Sequence, residues 1–232
     1  MQRNEPKQNS IETGEEFVTY DYERHTCEDM LKKASLFRKQ ISKRRSVREY
    51  SHEDFPVDIV YDAIATACSA PSGANKQPWH FCLIKNAELK ARIREAAEEE
   101  EYKSYTERMN DQWLKDIEPL GTNHVKPFIE IAPYLIVIFK KPYDIVDGKR
   151  IPNYYVNESV GIASGFLIAA LQNAGLATLT HTPSPMNFLH EILERPENER
   201  AFLLLPVGFA KLQTKVPNIS RKAPSEVMTQ YF

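Results

Sequence analysis

The amino-acid sequence reads as an α+β protein built on a single domain. Three observations lead there. Helix-periodic segments and short apolar runs intermix along the chain, but their order and loops give no regular βαβ repeat. Neither a G-x-G-x-x-G fingerprint nor a Walker A loop is present. With 232 residues, 42% of them hydrophobic, the chain is long enough to bury a substantial core.

Composition excludes several functions. The formal net charge is -2, so no overall field favours nucleic acid or an acidic membrane, and neither is an expected partner. Cys27, Cys68 and Cys82 are widely spaced and odd in number. That suits small buried hydrophobes in a reducing cytosol better than a disulfide framework. The six histidines show no metal-ligand spacing, and no metal is expected. The longest apolar run, about 159–171, is too short for a bilayer and holds two glycines. A soluble, cytoplasmic protein is the expectation. Residues 1–25 are polar and read as a disordered leader, ahead of one domain over 26–232.

The elements follow in order. Apolar and charged residues alternate at helical spacing over 27–41. Lys43–Ser51 is expected to be extended. Asp54-Phe55-Pro56 has the form of a helix start with Asp54 as its cap. Ile59, Val60, Ala63, Ile64 and Ala67 then share one face of a helix over 57–69. Pro71, Gly73 and Pro78 impose an irregular loop on Ala70–Trp79, whose small side chains let a flat ligand approach the backbone. Trp79–Ile84 reads as a strand. Asn86 caps a long helix to about Arg108, in which the adjacent carboxylates Glu98, Glu99, Glu100 and Glu101 are expected to face solvent. Glu101 and Tyr105 are four apart and share a helix face. Segment 110–132 lacks a firm period and reads as a mobile excursion or lid.

Pro133–Phe139 is a buried strand. Lys141–Pro152 is a loop or small hairpin turning at Asp147-Gly148. Residues 154–174 form the strongest helix, with Gly175 as its C-terminal cap. Its small residues, from Gly161 to Ala170, admit another helix closely, either in the core or at a subunit interface. Leu176–His181 reads as a strand, and Ser184-Pro185 opens a short helix to about Leu193. Ala201–Gly208 is the last strand, in which Pro206 marks an end or a bulge. The polar remainder, 211–232, either frays or wraps a partner.

One short stretch carries the strongest chemical signal. Arg44, Arg45, Ser46, Val47 and Arg48 bring three guanidiniums and a hydroxyl together within five residues. Guanidinium forks match phosphate and carboxylate oxygens in pairs. The stretch is either a solvated basic turn or a grip on a phosphate tail and a polar ring edge.

Taken jointly, the ordered features resemble the nitroreductase-type flavoprotein superfamily. They are RRSVR at 44–48, APSGANKQPW at 70–79, the small-residue helix, LATLTHTP at 176–183, LPVGF at 205–209 and Arg221. The run of four glutamates ending at Glu101, with Tyr105 four residues on and Lys126 beyond, is similar to one branch, the iodotyrosine deiodinase family. The likeness runs from about residue 35 to 230.

The resemblance implies a three-layer α/β/α fold with a mostly antiparallel central sheet, and an intertwined homodimer with FMN at its interface. It implies that Arg44, Arg45, Ser46, Val47, Arg48, Ser72, Thr180, His181, Thr182 and Arg221 contact FMN. The Ala74 backbone would meet the substrate phenolate, and Glu101, Tyr105 and Lys126 would close over the amino-acid zwitterion. Segment 102–125 would be the lid and 211–232 an arm on the partner subunit.

The activity so implied is reductive dehalogenation of mono- and diiodotyrosine, and of other halotyrosines, to tyrosine and halide. Electrons would pass one at a time from reduced flavin, supplied by a donor the sequence does not identify, with NADPH as a possible ultimate source. Thr182, with a hydroxyl suited to flavin N5, is the candidate catalytic residue. Two other functions stay open: an NAD(P)H-dependent nitro- or quinone reductase, and a non-catalytic, flavin-dependent binder of aromatic amino acids. The membrane anchor of vertebrate members is absent, and His181 stands where they carry threonine. A soluble, bacterial-type member is expected.

Overall fold

The computed structural model describes residues 17–232; residues 1–16, and with them most of the expected leader, lie outside the described residues. The chain divides into two units, residues 1–38 and 39–232. In the first, α1 (Cys27–Ile41) begins behind Thr26, whose hydroxyl accepts the Asp29 N–H at 3.2 Å. It buries none of its residues.

The second unit holds α2 (Asp58–Cys68), α3 (Ala87–Lys103), α4 (Asp111–Ile117), α5 (Phe128–Ile131), α6 (Val156–Asn173), α7 (Asn187–Ile192) and α8 (Pro224–Val227). Its strands are β1 (Trp79–Ile84), β2 (Tyr134–Lys140), β3 (Tyr143–Val146), β4 (Lys149–Pro152), β5 (Ala177–Thr178) and β6 (Arg200–Gly208). The main sheet has the order β1-β2-β6-β5 and every pair is antiparallel. β3 and β4 form a separate hairpin whose turn, Asp147-Gly148, has φ of 50° and 72° at its two central residues.

The period-two alternation of β2 produces the layers. Tyr134, Ile136 and Ile138 pack with Val60, Ala63 and Ala67 of α2 and Val160, Leu167 and Leu171 of α6. Leu135, Val137 and Phe139 pack on the other face with Ile93 and Ala97 of α3, Ile129 of α5 and Leu189 of α7. A strand covered on both faces has no place for a polar side chain, so the sequence there is one apolar run. The result is the three-layer helix–sheet–helix arrangement with an antiparallel centre.

Two local expectations are corrected. Asp54 does not cap α2; Val57 stands at the cap without a side-chain bond, and Asp54 pairs with Lys85 at 2.6 Å. Pro206 neither ends β6 nor bulges it: it lies opposite Leu135, and the irregularity falls at Ile138/Phe139. The effect of the proline shows on the other edge. His181 and Leu204 exchange both backbone bonds, at 2.9 and 3.0 Å. The next bonded pair toward Thr178 needs an N–H from residue 206, and proline has none. The expected strand Leu176–His181 therefore shrinks to β5 and an isolated bridge at His181. The Pro206 carbonyl accepts the Tyr50 hydroxyl instead, at 3.2 Å.

Ile136 is fully buried in the middle of β2. Ile136→Ala is expected to lower the unfolding free energy by about 2–5 kcal/mol, read from denaturant midpoints at an unchanged slope. A loss of under about 1 kcal/mol would contradict the two-sided packing.

Candidate active site

Behind α1 the chain runs extended beside the sheet edge. Ser46 bridges Thr178 in parallel, the Val47 N–H donates to the Thr178 carbonyl at 3.2 Å, and the Val47 side chain is buried. Arg44, Arg45, Ser46 and Arg48 line a cavity of about 190 Å³ with Leu120, Pro217, Ile219 and Arg221. The C-terminal segment closes it. Arg221 donates to the carbonyls of Ser42, at 2.9 Å, and Arg44, while Arg45 donates to that of Pro217.

No carboxylate lines this cavity. Burial, with Arg221 and Arg45 adding repulsion, pushes the Arg44 guanidinium below its ordinary value. Four guanidiniums around one space, two of them held by carbonyls and none facing a lining acid, form an anion site. Among the described residues, no group of three or more His, Cys, Asp or Glu could hold a metal ion.

A second cavity, of about 270 Å³, shares Arg48 and Leu120 with the first. Glu101, Tyr105, Lys126, Thr180, His181 and Thr182 line it, and Met109, Trp113 and Thr122 add to its rim. Here the charges are paired. Lys126 Nζ stands 3.3 Å from Glu101 Oε2, with both side chains nearly lost to solvent at 4% and 12% exposure. Nζ also donates to Thr122 Oγ1 at 3.2 Å and to the Asn123 carbonyl, and it lies 5.7 Å from the centre of the Tyr105 ring. Desolvation lowers the Lys126 ammonium below its usual range against the opposing pull of Glu101. Desolvation likewise raises the Tyr105 phenol.

The four glutamates are a correction. Rather than facing solvent as a block, each has a partner. Glu98 pairs with Arg94 at 2.8 Å and accepts the Lys126 N–H at 2.6 Å. Glu99 pairs with Lys103 at 2.7 Å, Glu100 with Arg108 at 2.8 Å and Glu101 with Lys126. Lys90, also buried, donates to the Glu130 and Ala132 carbonyls at 2.8 Å each, pinning the end of α5 beside α3. Glu98, Lys90 and Thr122 thus support the site without having been singled out. The only sequence signal for any of them was the Arg94–Glu98 helical spacing.

Across 179–183, exposure alternates. Leu179, His181 and Pro183 are buried; Thr180 and Thr182 are exposed. Both threonines therefore share the open side of an extended segment, while the His181 ring packs edge-on against Phe128 at 5.5 Å. Its Nδ1 is 4.0 Å from Glu101 Oε1, and its Nε2 is buried with no hydrogen-bond partner. Burial, then Lys126 and Arg48, push its pKa down to about 3, so the ring stays neutral beside the ion pair.

Ser72 and Ala74 line neither cavity. Their loop is tight. Ala74, Asn75 and Gln77 hold φ of 49°, 52° and 47°, a left-handed backbone that costs on the order of 1 kcal/mol or more per residue. A Cβ on Gly73 would sit 2.9 Å from the Tyr154 carbonyl. The Ser72 hydroxyl accepts the Gln77 N–H at 2.9 Å.

Layer order and anion pocket define a class: residues 41–209 match the Nitroreductase family. Curated relatives narrow it. The chain is 51% identical over 216 residues to an iodotyrosine deiodinase of Haliscomenobacter hydrossis, covering 93% of this chain and 97% of that one. It is 43% identical over 219 residues to one from Hydra vulgaris, covering 94% and 80%. Against human iodotyrosine deiodinase 1 it is 40% identical over 215 residues, covering 92% and 74%. A crystal structure of oxidized iodotyrosine deiodinase bound to FMN and 3-iodo-L-tyrosine superposes with a TM-score of 0.73 at 27% identity, covering 84% and 98%. The chain belongs to the nitroreductase family and, within it, to the iodotyrosine deiodinases. Among the described residues, no helix is long and apolar enough to cross a membrane.

The buried His181 predicts a pH dependence. In the unfolded chain it takes a proton near 6.5, but in the folded chain only near 3. Between those values the unfolded state binds more protons, so stability falls as pH falls. Above about pH 5 few carboxylates titrate, so the loss between pH 6.5 and 5 belongs to histidines: His181 and the half-buried His80, whose pKa burial also lowers. His181→Gln is expected to flatten the melting temperature over that interval; an unchanged slope would remove His181 from the explanation.

Proposed function

We propose that this chain is an FMN-dependent oxidoreductase that removes iodide from mono- and diiodotyrosine, and halide from other halotyrosines, releasing tyrosine. The observation that carries this reading is the buried Glu101–Lys126 pair facing Thr180 and Thr182, beside an arginine pocket without acids.

The arginine pocket fits the FMN phosphate. Arg44, Arg45 and Arg221 would hold a dianion that offsets their mutual repulsion, with the Ser46 hydroxyl as a further donor. Arg48, common to both cavities, would meet the polar edge of the ring. When bound, FMN supplies two electrons, one at a time; the carbon–iodine bond breaks, iodide leaves, and the ring carbon gains a proton.

The second cavity fits an amino-acid zwitterion. The substrate ammonium replaces Lys126 at Glu101, and the substrate carboxylate replaces Glu101 at Lys126. Each buried charge keeps an opposite partner throughout, so desolvation is not paid twice. A ligand with one charge leaves the other group unpaired, which costs several-fold in affinity. A nitroarene has no charge to exchange, and that disfavours the nitroreductase alternative. Tyr105 and the α4 segment, which buries no residue, would close over the ligand as a lid. The neutral His181 keeps a third cation away from Lys126. Thr182 offers a hydroxyl on the open side for the flavin ring edge.

The working form is a homodimer with FMN between the subunits. Three features support it. Ser72 and Ala74 lie outside the cavities they are expected to complete. α6 exposes Ile162 and Phe166, each directly after a glycine, Gly161 and Gly165. The terminal Tyr231 and Phe232 are fully exposed on a polar arm. A reducing compartment such as the cytoplasm suits three free cysteines. The electron donor is a separate reductase or small reductant.

Purified protein is expected to be yellow and dimeric by light scattering. Reduced chemically and given iodotyrosine without oxygen, it should release iodide and tyrosine; no halide would reject the reading. Glu101→Gln and Lys126→Ala are each expected to weaken halotyrosine binding at least about tenfold while retaining FMN. Arg44→Ala or Arg221→Ala should lose FMN on dialysis. Normal binding by both lid variants would show that the zwitterion assignment is wrong.

A further inference from the structure

Arg108 ties the two sides of the second cavity together. Past α3 the helix widens by one residue: the Met109 N–H bonds the Ser104 carbonyl, five residues back, at 2.9 Å. Glu101 and Tyr105 line the cavity, while Ser104 and Arg108 do not and instead reach the Ser184 carbonyl. There Arg108 Nη1 donates to Glu100 Oε2 and to the Ser184 carbonyl, both at 2.8 Å. The Ser104 hydroxyl, on a buried residue, donates to the Glu100 carbonyl at 2.9 Å and stands 3.4 Å from the same Ser184 oxygen. Ser184 lies two residues beyond Thr182, where the sheet no longer supplies partners: the last bridge is at His181.

We propose that Arg108 is a positioning residue that holds the Glu101/Tyr105 turn in register with Thr182 and so sets affinity for the amino-acid substrate. The proposal rests on the halotyrosine reading above. The ion pair to Glu100 stays within one stretch of helix, its partners eight residues apart. The bond to the Ser184 carbonyl, from the same Nη1, differs in reach: it joins segments 76 residues apart. Without it, the turn bearing Tyr105 and the segment bearing Thr182 are joined there only by the longer Ser104 contact, at 3.4 Å. A ligand must then order them on binding. Neither Arg108 nor Ser184 lines the arginine pocket, so the grip on the FMN phosphate does not run through this contact.

The test uses FMN-loaded dimer and 3-iodotyrosine, with Kd read from quenching of flavin fluorescence. Wild type must show quenching and halide release; absence of both overturns the functional reading, and this proposal with it. R108M is expected to raise Kd and KM about tenfold, with kcat at saturation changed far less and FMN content equal to wild type. E100Q, which removes the ion pairs of Glu100 with Arg108 and Lys103 but not the Ser184 bond, should leave Kd unchanged. A wild-type Kd in R108M overturns the proposal, as does E100Q weakening binding as much as R108M. Should R108M not fold, R108A, which also removes the donor, carries the test, and a wild-type Kd there overturns it equally.

Discussion

The pairing of Glu101 with Lys126 is the contact on which the site depends. Two charges this far from water are costly, and an apolar pair of similar volume would serve stability as well or better. The surrounding structure is shaped by that cost. Glu98 accepts the Lys126 amide and is itself held by Arg94. Thr122 and Asn123 take the remaining ammonium protons. Lys90 fixes the end of α5 against α3. A pair so supported makes sense as a pre-formed dipole whose halves can change partners, which is what a zwitterionic ligand requires.

The arginine pocket follows the opposite logic. Its charges have no acid to balance them, and burial already works against Arg44. Such a pocket gains stability only when an anion arrives, so folding and anion binding are linked. One cavity holds a carboxylate against an ammonium, which on the proposed reading suits a ligand with both charges; the other is lined by arginines without acids, which suits a doubly negative one. Arg48 and Leu120, common to both, make the two cavities adjacent, so on the proposed reading their ligands would lie side by side. Adjacency of this kind is what an electron transfer between a phosphate-bearing cofactor and an amino acid needs.

Much of the fold was legible. The Pro133–Phe139 run, the Asn86 cap, the Asp147-Gly148 turn and the helix ending at Gly175 all stand within a residue or two of expectation. Candidate residues also gathered: the arginines and Ser46 in one cavity, and Glu101, Tyr105, Lys126 and the 180–182 segment in the other. The errors share a cause. Asp54 has the chemistry of a cap but spends its carboxylate on Lys85. Four adjacent glutamates look solvated until four cations from different places meet them. The strand after Gly175 is short because a proline on its neighbour withholds one N–H.

What the sequence determined by itself was local: which segments are helix or strand, where they are capped, and which side chains have the chemistry to hold a phosphate or a zwitterion. Periodicity, capping and side-chain pKa act within a few residues, so one chain read in order contains them. Only the tertiary structure decided that Arg221 reaches Arg44 across 177 residues, and that Glu98 holds the Lys126 amide across 28. It alone turned His181 into the core while leaving both neighbouring threonines open. Those outcomes depend on where separate elements cross, and such crossings follow from packing the two faces of one sheet rather than from any spacing along the chain.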